Sequence, residues 1–178
     1  MKLKNILRLL LGSLLVIFLL ITAISLFFPS RVRISRAINV LAAAEQVREP
    51  IRDMRQWTSW NPLLDSVEQD QIRFLPNEES IPEKLELNNV EVSWLAVSDS
   101  LLLASFSTDA GRPVTNGWQI ITHPGTDSTT IQWYMDFRLR WYPWEKFSSL
   151  LLEKSYGSQL EAGLVRLRQT IYANRSSQ

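Results

Sequence analysis

The chain has no cysteine and a single histidine. Without cysteine there are no disulfides, no thiolate metal sites and no cysteine nucleophile, and the chain is indifferent to the redox state of its compartment. The lone histidine, His123, stands beside Pro124-Gly125 in an expected hairpin loop. One histidine excludes a multi-histidine metal site and argues against a histidine-based triad, so His123 is read as a solvated turn residue. An excess of charge of one sign is missing as well. Residues 1–30 hold Lys2, Lys4 and Arg8 and no acid, which leaves 16 basic and 18 acidic side chains for the rest (19 less 3, and 18 less 0). A domain near −2 offers no basic field for counterion release, and nucleic acid is not an expected partner. No internal repeat, low-complexity tract or second domain is visible in the 178 residues, which have room for one ordinary domain and an appendage. The hydrophobic fraction of 46% is that of a folded protein.

One long hydrophobic run is present. Leu9 to Phe28 reads LLLGSLLVIFLLITAISLFF, 20 positions without a charge. At about 1.5 Å per residue, a helix of this length spans roughly the 30 Å hydrocarbon core of a bilayer. A cleaved signal peptide is the competing reading, because Lys2, Lys4 and Arg8 form a basic leader and Ala23-Ile24-Ser25 is a weak small-x-small site. The apolar run is longer than an ordinary signal core of about 7–15 residues and continues through Leu26, Phe27 and Phe28, which favours an anchor. The N-terminal cations favour a cytoplasmic N-terminus with the domain on the extracytoplasmic side, although Arg31, Arg33 and Arg36 oppose that bias.

After Pro29-Ser30 the chain alternates from Arg31 to Val40, with one slip after Arg36, which predicts a strand leaving the apolar run almost directly. Ala42 to Glu49 are good helix formers; Pro50 is expected to kink that helix or split it, with a second piece running through Ile51 and Met54 to Trp57 and closed by Trp60, Asn61 and Pro62. Strands follow at Ile72–Leu75, stopping at Pro76-Asn77, then at Leu85–Leu87, Val90–Val97 and Leu101–Ser107, with Asn88-Asn89 and Asp99-Ser100 as turns. Val114–Thr122 and Ser128–Leu139 form a hairpin around His123–Asp127. Leu160, Leu164, Leu167 and Ile171 recur every three or four residues on a final helix starting near Pro143, and Phe147, Leu150 and Leu151 are expected to extend that stripe. Gly157 and Gly163 each cost about 1 kcal/mol of helix propensity relative to Ala, so a close backbone approach or a bend is expected there.

Three stretches carry a family likeness. Pro29 to Val40 resembles the opening strand of those START-like (SRPBCC) proteins in which a membrane helix precedes the domain. Trp57-Thr58-Ser59-Trp60-Asn61-Pro62 resembles their tryptophan-rich turn after paired short helices. Pro143 to Leu167, with Phe147, Gly157, Glu161, Gly163 and Leu164, resembles their closing helix. The resemblance implies an α+β helix-grip fold: a curved antiparallel sheet wrapped around a long C-terminal helix, two short helices after the first strand, and an apolar cavity between sheet and helix. The divisions are residues 1–28 as basic tail and transmembrane anchor, 29–173 as the helix-grip domain, and 174–178 as a disordered tail. Residues 63–111 do not show the glycine-containing turns expected where family members line the cavity mouth.

Seven tryptophans are many for this length. Trp57, Trp60, Trp94, Trp118 and Trp133, with Leu160 and Leu164 on the final helix, are the candidate cavity residues, since aromatic rings give apolar pockets large rigid contact area. Core packing is the bland alternative, preferred for Trp57 and Trp60. The run Arg138-Leu139-Arg140-Trp141-Tyr142-Pro143-Trp144 mixes cations with amphipathic rings, so Arg138, Arg140, Trp141, Tyr142 and Trp144 are candidates for contact with lipid headgroups. The preferred alternative is a loop that caps the helix start with its rings packed on the sheet. Among the carboxylates Asp53, Glu91, Asp109 and Asp136, Glu91 would serve acid–base chemistry if it pointed inward near Arg73 or Arg138; an outward position is expected. No metal or cofactor is expected, and no residue stands out as a catalyst. The reading is a membrane-anchored, non-catalytic module that holds a lipid or another apolar small molecule. A cyclase or dehydratase on the same fold and a ligand-free scaffold are the alternatives, and fold alone does not decide among them.

Overall fold

The structure, a computed structural model, describes residues 2–75, 82–109 and 111–176. A helix, α1 (Lys2–Ser25), opens the chain. From Lys4 to Ser25 it is long and apolar enough to cross a membrane, and its residues are exposed apart from Thr22, half-buried, and Ser25, buried where the helix meets the domain. Strand β1 (Arg31–Val40) follows within a few residues. Helix α2 (Ala44–Arg52), a 3₁₀ turn at Met54–Gln56, α3 (Trp57–Trp60) and a second 3₁₀ turn at Pro62–Leu64 come next. A third turn at Gln69–Gln71 leads into six strands joined in hairpins: β2 (Ile72–Leu75), β3 (Lys84–Leu87), β4 (Val90–Val97), β5 (Leu101–Thr108), β6 (Val114–Thr122) and β7 (Thr129–Arg138). Helix α4 (Pro143–Ser176) closes the fold.

The seven described strands form one antiparallel sheet in the order β1-β7-β6-β5-β4-β3-β2. Consecutive strands pair as a meander, and β1 returns to the far edge beside β7. Short turns make the meander: Asn88 takes φ of 51° in the two-residue connection of β3 to β4, a left-handed conformation that asparagine tolerates. One face of the sheet carries the core, with Ile34, Val40, Leu85, Val92, Leu102, Ala104, Trp118, Ile120, Ile131 and Trp133 almost wholly buried. Leu160, Leu164, Leu167 and Ile171 of α4 pack against it, as their spacing predicts.

Several expectations change. The slip after Arg36 is not a bulge, because β1 keeps a continuous register with β7 from Arg31↔Arg138 to Val40↔Thr129. Arg36 instead shares the inward phase with Ile34 and Ile38, and its guanidinium reaches Glu153 of α4 at 2.5 Å. Helix α2 runs through Pro50 and ends at Arg52, so the break falls at Asp53, whose carboxylate accepts from the Arg55 backbone N–H. Phe147, Leu150 and Leu151 do not extend the buried stripe: Leu150 and Leu151 are 63% and 64% exposed. The stretch 174–178, expected to be a tail, is helical to Ser176, and 177–178 lie outside the described residues, as does the turn expected at Pro76-Asn77.

Two contacts fix α1 to the domain. The Lys146 ammonium, almost wholly buried, donates to the Phe28 carbonyl at 2.9 Å and to Ser30 Oγ at 2.7 Å. A cation here satisfies a carbonyl just past the helix end and complements the negative pole of its dipole. The Phe28 and Phe147 rings meet edge-on at 5.2 Å. On the outer face of the sheet, Arg33 grips Asp136 through two hydrogen bonds of 2.7 and 2.6 Å and lies over the Tyr134 ring at 4.1 Å. The Asp136 hydrogen bond raises the Arg33 pKa above its ordinary value, against an opposing effect of burial. Tyr134 in turn lies over Gly117 on the neighbouring strand, filling the space a side chain would need.

Gly163 tests the packing of α4. A methyl group there would strike the buried Trp133 ring and lie 2.8 Å from Pro62 Cδ. Gly163→Ala is therefore expected to destabilise the protein by about 1–3 kcal/mol through overpacking, although alanine is the better helix former by about 1 kcal/mol. Thermal or denaturant unfolding of the full chain in detergent measures this, and an unchanged or raised midpoint would contradict the close approach.

Candidate functional site

The site begins with an unfinished helix. The last turn of any α-helix leaves carbonyls without intrahelical donors. In α2 the Asp53 N–H takes the Glu49 carbonyl. The next two carbonyls, of Pro50 and Ile51, receive indole N–H groups instead: Trp60 Nε1 donates to Pro50 O at 3.0 Å and Trp57 Nε1 to Ile51 O at 2.7 Å. Both rings are wholly buried. The pair of tryptophans thus ties α3 back under α2 and points its rings at the sheet.

The sheet supplies the facing rings. Trp118 on β6 pairs with Trp133 on β7, and their rings stack at 5.6 Å. Trp57 lies 5.2 Å from Trp118, 5.7 Å from Trp94 and 6.1 Å from Phe106, while Trp60 lies 5.6 Å from Trp133. These are separations at which aromatic quadrupoles attract edge-to-face or offset. Leu160 and Leu164 close the cluster from α4. All seven candidate cavity residues therefore belong to one core. Trp57, Trp60, Trp118, Trp133 and Leu160 have no exposed surface and Leu164 has 2%, so side chains fill the space that they bound. Trp94 alone of the five tryptophans is half-buried; it borders an open groove of about 480 Å³ whose rim includes Arg52, Glu83, Lys84 and Val97.

Asn116 is the residue that sequence reasoning missed. It sits on β6 in the inward phase with Trp118 and Ile120, opposite Ala104 of β5, which in turn pairs with Trp94 of β4. Its Oδ1 accepts from Trp133 Nε1 at 3.2 Å. Its Nδ2 has no protein partner, nor do Trp118 Nε1, Trp94 Nε1 and Asn61 Nδ2, and all four atoms are buried. A buried donor left unmade costs about 1–3 kcal/mol, and three of these donors, on Trp94, Asn116 and Trp118, belong to the one aromatic cluster. The signal available in the sequence was a polar side chain at the core phase of an otherwise apolar alternation, Val114, Asn116, Trp118, Ile120.

The carboxylates lie elsewhere. Glu91 faces outward, as expected, and pairs with Lys84 at 3.1 Å; Asp136 pairs with Arg33, Asp53 with Arg55, and Asp109 is exposed. His123 contacts Thr130 at an exposed position in its loop. Among the described residues, the buried polar side chains are Ser25, Asn61, Asn116, Thr129 and Lys146. The segment Arg138 to Trp144 corrects the packing expected of it. Trp141 and Trp144 are 57% and 63% exposed rather than laid on the sheet, and the Tyr142 ring lies 4.9 Å from each, stacked on Trp144 and tilted against Trp141. Arg138 is exposed, and Arg140 is half-exposed, its guanidinium 5.9 Å from the Tyr142 ring centre.

A sequence model of the family described as polyketide cyclase / dehydrase and lipid transport matches residues 31–171. The chain belongs to this family. A comparison with curated proteins gives no match. Among solved structures, the chain is similar to a START superfamily protein from Mycobacterium smegmatis, with a TM-score of 0.56 and 16% identity over 79% of this chain and 97% of that one. It is similar to the Zhui aromatase/cyclase from Streptomyces sp. R1128, at 0.57 and 15% over 80% and 94%. Norcoclaurine synthase from Thalictrum flavum, solved with dopamine and hydroxybenzaldehyde, matches at 0.57 and 11% over 84% and 90%. At these identities the likeness is one of fold. In this member of the polyketide cyclase and lipid transport family, the space between sheet and C-terminal helix is occupied by its own indoles.

The hydrogen-bond pattern separates two buried rings of the same kind. Trp57→Phe orphans the Ile51 carbonyl, whereas Trp118→Phe removes a donor that has no protein partner. Trp57→Phe is expected to cost about 1–3 kcal/mol more than Trp118→Phe. Denaturant unfolding of the two variants measures the difference, and equal losses would refute the role given to the α2 carbonyls.

Proposed function

We propose that this protein is a membrane-anchored, non-catalytic binding module for a lipid or other apolar small molecule bearing an acceptor oxygen. The observation that carries the reading is the set of unpartnered N–H groups on Trp94, Asn116 and Trp118 inside an aromatic cluster. Apolar sites on proteins characteristically combine aromatic walls with a few fixed polar groups that orient the ligand. A carbonyl or hydroxyl oxygen would answer these donors, and an acyl or polycyclic body would suit the rings. Trp94 is the entry residue, because it alone joins the cluster to the groove beside Arg52 and Lys84. The family description, with its lipid transport and cyclase members, supports the ligand class. The non-catalytic assignment is supported by the exposure of Glu91 and Asp109 and by the pairing of Glu91 with Lys84, Asp53 with Arg55 and Asp136 with Arg33. Anchoring is supported by α1, and the cations Lys4 and Arg8 at its start favour a cytoplasmic tail with the domain on the other side.

A second reading, a ligand-free interaction domain, is favoured by the completeness with which Trp57, Trp60, Trp118 and Trp133 fill the interior. Native mass spectrometry of the full chain released from mild detergent, followed by organic extraction, separates the two. The expected result is one oxygen-bearing apolar molecule per chain, with occupancy by an added fatty-acid analogue falling about tenfold in Asn116→Ala, the value of one buried hydrogen bond. A protein that emerges empty and takes up neither lipid nor fatty-acid analogue overturns the binding reading in favour of the second.

A further inference from the structure

The start of α4 exposes what the rest of the helix buries. Trp144, Phe147 and Leu151 recur at spacings of three and four, with Leu150 beside them, so they share one outward face. Trp144, Leu150 and Leu151 are each more than 60% exposed, and Phe147 is 36% exposed. Trp141 extends the patch ahead of the helix. The same face turns polar farther along: Lys154, Ser155 and Ser158 occupy the exposed positions of the following two turns. Apolar character is thus confined to one end of α4, and that end is where α1 stops. Phe147 meets the Phe28 ring, Lys146 holds the Phe28 carbonyl, and Leu139 N–H donates to the Ser30 carbonyl at 2.9 Å. Phe27, at the α1 side of this junction, is 90% exposed.

Charge fits the same end. Arg31 and Arg138 are directly opposite on β1 and β7 and both exposed, a like-charged pair that is unfavourable unless an anion lies near. Arg140 stands two residues beyond. Tryptophan and tyrosine rings with flanking arginines are the side chains that settle at the headgroup level of a bilayer.

We infer that the start of α4 as far as Leu151, with Trp141 and Tyr142 before it, is a second membrane contact, seated in the interfacial layer of the bilayer that α1 crosses. The contact rests on the anchor reading of α1. It lays the domain against the lipid through α4 and leaves the groove at Trp94, on the β3–β4 side of the sheet, outside the patch.

The absence of cysteine makes the test direct, since any introduced cysteine is the sole labelling site. Leu151→Cys and Ser158→Cys, seven residues apart on one helix face, each receive a nitroxide in the full chain reconstituted in nanodiscs of phosphatidylcholine and phosphatidylglycerol. Leu15→Cys in α1 reports on the anchor. The expected result is that the label at 151 collides preferentially with oxygen over a water-soluble nickel chelate, by a ratio several-fold above that at 158. A label at 151 that is as water-accessible as the one at 158, with the label at 15 in lipid, overturns the contact and leaves the anchor standing. A label at 151 shielded from both reagents marks a protein partner and also overturns it. A label at 15 that is open to the nickel chelate removes the anchor and the contact together.

Discussion

Two indole N–H groups hold the interior of this protein in place. Trp57 and Trp60 donate to the carbonyls that α2 leaves open at Ile51 and Pro50. From there the rings form a relay across the molecule: Trp60 meets Trp133, Trp133 meets the bare backbone of Gly163, and Trp57 meets Trp94, Phe106 and Trp118. The short helices, the sheet and α4 are thereby joined through contacts between rigid bodies. A buried tryptophan removes roughly 150–250 Å² from water, worth about 4–6 kcal/mol as an upper bound at 25 cal/mol per Å². The hydrogen bonds contribute less energy than this, but they decide which way the rings point. An unpinned ring would have several ways to fill the same volume, and a core that admits several packings loses uniqueness before it loses stability.

The same cluster holds a tension between stability and recognition. Its rings are as tightly buried as any core, yet Trp94, Asn116 and Trp118 keep donors that no protein atom answers. A sequence selected only for packing would replace Asn116 with an apolar residue, as β5 and β7 have at the positions beside it with Ala104 and Met135. A polar group retained among indoles is a departure from local consistency, and such departures concentrate at functional sites. The sheet also distributes its roles by face. The ion pairs of Arg33 with Asp136 and Lys84 with Glu91 lie on the outer side, while Arg36, the inward-phase arginine of β1, is paired with Glu153 of α4.

The elements with strong periodicity were legible from residues alone. Alternation located β1 and the β6–β7 hairpin, and the spacing of Leu160, Leu164, Leu167 and Ile171 located the buried stripe of α4. Five tryptophans singled out from composition and strand phase do converge on one cluster. What escaped had tertiary causes. Pro50 gives up the helical hydrogen bond its N–H would have made to the Gln46 carbonyl, and it is accommodated two residues before the end of α2, where indoles take the carbonyls of Pro50 and Ile51. Phe147, Leu150 and Leu151 are three or four apart among themselves, but Leu151 is nine residues from Leu160, half a turn out of phase, so they belong to the outward face while Lys146 and Gly157 carry the buried one. Asn116 is readable as an inward polar residue from its phase with Trp118 and Ile120, but its bond to Trp133 and its unpartnered amide nitrogen are tertiary facts. Arg36 was taken for a slip in β1 because its partner, Glu153, is more than a hundred residues away.

The seam between β1 and β7 sets the order in which the molecule can be built. Residues 31–40 leave the apolar helix first, yet every rung of their ladder is completed by residues 129–138. The entropy of closing so long a loop must be met before the ladder returns any energy, and contacts this distant in sequence form slowly. The five hairpins from β2 to β7 are local and have no such delay. During synthesis from the N-terminus, β1 is therefore an open edge held next to the apolar helix for most of the time the chain takes to emerge. Its arginines at 31, 33 and 36 are the kind of charge that keeps an unpaired edge from recruiting the wrong strand. Completion of the sheet and capture of the end of the apolar helix by Lys146 then fall together, at the very end of folding, because both need the residues that follow β6.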